Sequence, residues 1–198
     1  MCRSPTLERS HCGHPPGLVS VTRTGRRPFD RAVRRAFHPE DVKDELTGHS
    51  FPIPTEPVLL DQDKCRYTPR VLGVRVGQPL AIRNSDPLLH NVRASGKINQ
   101  PFNMSTPLEG VTFNRTFATR EVMVDFKCDV HAWMRAFVGV LDHPYFGTTG
   151  QDGRVALNNL PPGTYTIEAW HEQLGVKTQQ VTVGARDSKD VAFAFARQ

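Results

Sequence analysis

Four side chains in two short stretches of this 198-residue sequence have the types and spacing to hold a soft metal ion. Cys128-Asp129-Val130-His131-Ala132-Trp133-Met134 places a thiol, an imidazole and a thioether three residues apart. A second imidazole, His90, lies upstream in Asn84-Ser85-Asp86-Pro87-Leu88-Leu89-His90-Asn91-Val92. Two imidazoles, one thiolate and a weak axial thioether are the donor set of a blue copper ion. Thiolate and thioether suit Cu(I) and imidazole suits both oxidation states, so such a set cycles one electron without changing its ligands. Taken singly, each residue has a plainer reading. Cys128 alone is a buried structural thiol, His131 a surface imidazole and Met134 core filler beside Trp133. Their spacing joins them.

These donors need elements that bring distant stretches to one place. Val122, Val124, Phe126 and Cys128 occupy every second position, so they share the inward face of a strand that ends at the thiol. Ala136–Leu141 reads as the next strand. Asn84-Ser85-Asp86-Pro87 is a turn by composition and leads into His90. Further short strands are expected over Val58–Leu60, Val71–Val76, Leu80–Ile82, Val92–Ala94 and Val111–Phe117. With no convincing helix and with 16 Pro and 15 Gly, many of them in turns, residues 52–142 predict an all-β sandwich. A second unit is expected over 143–198, with strands near Arg154–Leu157, Tyr165–Ala169, Thr178–Val183 and Asp190–Phe195. At about fifty residues it is too small for a generous core of its own and is expected to pack on the first unit. Within it, His143 and His171 are candidates for a second metal site, packing or inter-unit hydrogen bonds.

Residues 1–51 differ in character. They predict a disordered or mis-started N-terminal arm, Arg-rich, with a turn or two of helix over Asp30–Phe37 ended by Pro39. No apolar segment at the start resembles a secretory signal. No run of 18 apolar residues is present to span a membrane. The net charge is +5, and residues 1–45 hold nine Lys and Arg against six acids, which leaves the remainder nearly neutral. Without a basic stripe interleaved with aromatics, nucleic acid is not an expected partner. The cysteines Cys2, Cys12, Cys65 and Cys128 match no C-x2-C zinc spacing. If Cys128 binds metal, Cys65 either pairs with Cys2 or Cys12 or stays a free thiol. His11 and His14 around Cys12 form only a weak metal-like cluster. No His-x-His pair suggests a trinuclear cluster, and the single cysteine of the ligand loop argues against a dinuclear copper site.

His90-Asn91-Val92 after a Pro-containing turn, followed by Cys128-x2-His131-x2-Met134, resembles the cupredoxins over roughly residues 56–142. The two residues between His131 and Met134, with an aromatic just before the Met, are most similar to amicyanin; plastocyanins have a longer spacing. The resemblance implies a Greek-key β-sandwich with one copper ion on His90, Cys128, His131 and Met134. It also implies that Asn91 ties the two ligand loops together and that Phe126, Trp133 and Phe137 form an apolar shell. The His131 ring edge would be the exit for the electron. The implied protein is an electron carrier rather than an enzyme, periplasmic or extracellular, with a redox partner protein. Alternatives are a copper chaperone with the same ligands, or a structural or carbohydrate-binding sandwich. Thr149, Asp152-Gly153 and Leu157–Tyr165 resemble a carboxypeptidase regulatory-like, transthyretin-like module, and the pair of units is similar to bacterial methylamine-utilisation-type proteins.

Overall fold

A computed structural model describes residues 17–24, 37–39, 46, 49–150 and 152–195, with residues 17–24 and 37–39 described by their backbone. It is all-β, and no helix occurs among the described residues.

The first unit is a sandwich of two sheets. One sheet has the order β5 (Val71–Arg75), β11 (Arg135–Leu141), β10 (Glu121–Lys127), β7 (His90–Ser95) and β8 (Phe102–Thr106). The other has the order β4 (Tyr67–Thr68), β3 (Val58–Gln62), β6 (Leu80–Asn84) and β9 (Thr112–Arg115). Alternation along the strands sends one set of side chains inward. Leu60, Leu72, Val74, Leu80, Ile82, Val92, Val124, Phe126, Ala136, Val138 and Val140 form a single core, and Cys128 and Met134 close it at one end.

The second unit contains β12 (Arg154–Leu160), β13 (Gly163–His171), β14 (Gly175–Val183) and β15 (Ser188–Ala194). Two strands from the first 51 residues complete its sheets. β1 (Gly17–Thr24) runs antiparallel to β12 and parallel to β15, and β2 (Phe37–Pro39) pairs with β13. Leu46 and Phe51 pack on the same core as Tyr145, Tyr165, Ile167 and Phe193. Thus part of the stretch expected as an arm supplies backbone pairing and apolar contacts to the C-terminal unit. The first unit lies between these contributions in sequence. Of the expected helix, Phe37 belongs to β2 and the rest is outside the described residues, as are Cys2, Cys12, His11 and His14.

The units meet on the outer face of β5 and β11. From Ala136 onward β11 is buried at every position, because its inner face fills the first core and its outer face is covered by the second unit. Gly73 and Gly139 are cross-strand partners there, and the Phe146 ring lies where a Gly73 Cβ would stand. Phe137 contacts Trp170 with ring centroids 4.9 Å apart. Arg70 makes a two-pronged ion pair with Glu172, at 2.8 and 3.0 Å.

Candidate metal centre

β10 carries Val124, Phe126 and Cys128 to the sandwich rim on one inward face, and the chain then turns. The turn closes on itself: Met134 N–H donates to His131 O at 2.9 Å, and Cys128 N–H donates to Met134 O at 3.2 Å. Both sulfur residues end buried, Cys128 at 2% exposure and Met134 at 1%. From the neighbouring strand β7, fully buried His90 reaches the same point.

The three donor atoms form a small triangle. His90 Nδ1 and His131 Nδ1 are 2.9 Å apart, and each lies 3.8 Å from Cys128 Sγ. The point equidistant from all three lies about 2.1 Å from each. Bonds of about 2.0 Å to nitrogen and about 2.3 Å to thiolate sulfur would therefore be met by one ion with little movement. The donors present fit a metal ion, and softness favours one that accepts both thiolate and imidazole.

Outer contacts hold this triangle. Asp86 accepts from His90 Nε2 at 2.9 Å. A carboxylate offers no proton, so Nε2 carries the hydrogen and Nδ1 is left to face the donors. Asp86 also accepts from Lys64 N–H at 2.7 Å and Cys65 N–H at 2.8 Å. Burial alone would raise its pKa, but the bonds from Cys65, His90 and Lys64 together hold it below the usual carboxylate range. The turn that presents Asp86 is set by Asn84, whose Oδ1 accepts from Asp86 N–H and whose Nδ2 donates to Leu88 O and Thr106 O.

Asn91 joins the two ligand stretches. Its Oδ1 accepts from Asp129 N–H, and its Nδ2 donates to Asp129 Oδ2 at 2.9 Å and Asn103 Oδ1 at 2.8 Å. Beneath it, Tyr67 OH donates toward Asn91 O and Lys127 O, at 3.1 and 3.2 Å. Burial pushes the Tyr67 phenol pKa up, and Cys128 and Asp129 push it further, so the group stays a donor.

The remaining sequence candidates separate. Phe126 sits in the core two residues before Cys128, edge-on to Phe102 and Phe117. Trp133 is 67% exposed, so it does not seal the donors inside a core. Its ring lies 5.3 Å from that of His131, and its indole N–H donates to Cys65 O at 3.0 Å. Phe137 is not at the centre at all. The antiparallel register pairs Ala136 with Phe126 and Phe137 with Asp125, which turns Phe137 to the opposite face and onto Trp170. His143 and His171 use Nδ1 to accept backbone N–H groups, from Tyr145 in one case and from Gln173 and Leu174 in the other.

Sequence reading does not assign Cys65 and Asp86 to the site. Cys65 forms no disulfide among the described residues and is partly exposed. Its Sγ lies 4.0 Å from His131 Nε2, and Cys65, His90 and His131 each offer a ligand atom within 4.8 Å of the others. Lys64 and Cys65 are the central pair of a tight hairpin closed by reciprocal Asp63–Arg66 backbone bonds at 3.0 and 3.1 Å. Both have positive φ, 53° and 50°, as a two-residue hairpin turn of this twist requires. Asn-Gly would announce that turn; Lys-Cys does not. Asp86 stands four residues before His90 as a legible carboxylate, but its reach to the Cys65 hairpin is a long-range contact.

Comparison with known proteins gives partial matches. The model of polysaccharide lyase family 4, domain II, matches residues 118–191, less than half of the chain. No curated protein matches the sequence. Among solved structures, the Cu(I) form of an amicyanin variant aligns at 23% identity and a TM-score of 0.38, covering 44% of this chain and 85% of amicyanin. An oxidised amicyanin variant aligns at 20% identity and a TM-score of 0.39, covering 56% of this chain and 94% of the other. A copper-containing nitrite reductase from Thermus scotoductus aligns at 17% identity and a TM-score of 0.39, covering 62% of this chain and 28% of the reductase.

Proposed function

We propose that this chain is a mononuclear type 1 copper protein that carries single electrons. The observation behind the reading is the triangle of His90 Nδ1, His131 Nδ1 and Cys128 Sγ, with edges of 2.9, 3.8 and 3.8 Å. Bound copper would supply a one-electron Cu(II)/Cu(I) couple. The chain's residues hold the geometry common to both states. Asp86 orients His90, Asn91 ties the loops, and Phe126 with the core behind Cys128 excludes water from the inner side. Met134, buried in this core, would offer the ion a weak thioether. The half-exposed His131 ring is the contact point for a redox partner protein. The chain carries out no bond-making chemistry of its own in this reading, and it acts in the periplasm or outside the cell. The C-terminal unit is a carboxypeptidase regulatory-like support.

The direct test is addition of Cu(II) to the full chain. The reading expects one copper per chain, intense visible thiolate-to-copper absorption and a reversible voltammetric wave. A Cys128→Ser variant that keeps the band overturns it. The Cys65 thiol beside His131 favours a second reading, a Cu(I)-holding chaperone with the same inner ligands. That reading expects strong Cu(I) retention and no accessible Cu(II) state. A structural or carbohydrate-binding sandwich would take up no stoichiometric copper.

A further inference from the structure

We propose that Tyr67 and Gln62 are positioning residues of the copper centre: from the opposite sheet they fix the gap between the strands that carry His90 and Cys128. The inference rests on the copper reading above and extends it to residues that offer the ion no ligand. The two ligand strands part at the rim. β7 and β10 pair through Ser95–Asp125, Ala94–Phe126 and Arg93–Lys127, and the ladder ends there. His90 and Cys128 lie beyond its last pair, where side chains must join the two strands.

On the opposite sheet, Tyr67, Gln62 and Asn84 stand in one row across β4, β3 and β6 as cross-strand partners, which share a face. Tyr67 is almost fully buried, and Gln62 and Asn84 are fully so. Tyr67 OH lies 3.1 Å from the carbonyl of Asn91, next to His90, and 3.2 Å from that of Lys127, next to Cys128. Gln62 Nε2 donates to the same Asn91 carbonyl at 3.2 Å and toward Tyr67 OH at 3.4 Å. Gln62 Oε1 accepts from Thr106 Oγ1 at 2.8 Å, and Thr106 is the β8 partner of His90. The row thus reaches the backbone beside two of the donors and the residue paired with one of them.

Apolar side chains would fill the same space between the sheets without the cost of burying polar groups. A buried network in which each member is matched holds one arrangement rigidly. Both Nε2 hydrogens of Gln62 and its Oε1 have partners, so this network is of that kind. The arrangement it holds is the gap across which His90 Nδ1 stands 3.8 Å from Cys128 Sγ. A gap of fixed width resists the flattening that Cu(II) prefers and so supports the reduced ion.

The test compares full-length wild type with Tyr67→Phe, which keeps the ring and removes the hydroxyl. In the metal-free proteins, amide hydrogen exchange at Cys128 and Asp129 should quicken about two- to tenfold in the variant, the size of one lost hydrogen bond. The Val76 amide, bonded to Leu141 O at the far end of the sandwich, should keep its wild-type rate. After copper loading, the visible band of Tyr67→Phe should move and its reduction potential should fall. Equal changes in exchange at both ends, or none at Cys128 and Asp129, overturn the proposal. Faster exchange at the rim with an unmoved band and potential also overturns it, because the network is then structural only. If the wild type takes up no stoichiometric copper, the copper reading fails first and the role toward copper falls with it. Should Tyr67→Phe fail to fold, Gln62→Met takes its place, with the same readings and the same overturning results.

Discussion

Two pairs of histidines, one in each region, differ in where their ring nitrogens point. His90 and His131 turn their Nδ1 atoms toward each other and toward Cys128. His143 and His171 are also buried, at 6% and 5% exposure, but their Nδ1 atoms accept backbone N–H groups of adjacent turns. His143 stacks on Tyr145 and His171 lies over Phe195. Residue type is alike in the two pairs, and His90 is as buried as His143 and His171, while His131 is partly exposed. The difference is where the lone pair goes. In the first unit Asp86 accepts the Nε2–H bond of His90 and leaves its Nδ1 facing His131 and Cys128; in the second, the local chain occupies Nδ1.

The strongest way to break this comparison is to exchange the consequences. His90→Ala should abolish stoichiometric copper and the visible band, as should Cys128→Ser. His171→Asn should keep full copper loading by metal analysis and cost about 1–3 kcal/mol in urea unfolding, through the lost turn contacts. Copper loss in His171→Asn would make the second pair part of the centre and end the distinction.

Asp86→Asn sharpens it. An amide keeps the volume, but its nitrogen cannot accept, so at least one of the Lys64, Cys65 and His90 donors is left unmatched. Copper affinity should fall roughly 10- to 100-fold, as for other outer partners of metal-bound histidines. Competitive chelation measures the change. An unchanged affinity would mean that the orientation of His90 is set by packing alone.

Glu121 offers a control at the far end of β10. Its buried carboxylate accepts from the amides of Lys97 and Asn99 and from the Asn99 side chain. Burial alone would raise its pKa, but the bonds from Asn99 and Lys97 hold it below the ordinary value. With the folded value below the unfolded one of about 4.3, its stabilisation is complete above that pH. The stabilisation is lost as the pH falls through the unfolded value toward the folded one. Glu121→Gln should destabilise the chain by about 1–3 kcal/mol at pH 7 in urea unfolding, and the gap from wild type should narrow below about pH 4. A gap independent of pH would exclude the charge as its source.

Much of this was legible in local pattern. Alternation of Val124, Phe126 and Cys128 gave the strand and its inward face, whereas Val122, expected on that face, lies at a register shift and is only partly buried; Asn84–Pro87 gave the turn before His90. Three features are not legible locally for one reason: they depend on partners distant in sequence. Phe137 follows inward-facing Ala136, and only the cover supplied by the second unit makes an aromatic suitable on the outer face. Cys65 sits at a hairpin tip whose positive φ values are stabilised by a carboxylate 21 positions away. Gly17–Thr24 lies in an Arg-rich stretch, and its strand pairing is completed by β12 and β15 near the other end of the chain.

The smallest expected effect tests whether the two regions support one another or merely touch. Gly73 lies on the outer face of β5, and a Cβ there would stand 2.2 Å from Phe146 Cε2. Gly73 does not have a positive φ, so Gly73→Ala strains contact rather than backbone. The inner neighbours Leu72 and Val74 stay in the first core, remote in face from the donors' outer cover. The ring of Phe146 must therefore shift, loosening the seam at a cost of about 1–3 kcal/mol. Differential scanning calorimetry should show a lower Tm, while copper stoichiometry and the visible spectrum stay as in the wild type. If the spectrum changes with the seam, the second unit helps to shape the donor cluster through β11, and the proposed division between a metal-holding region and a supporting one no longer holds.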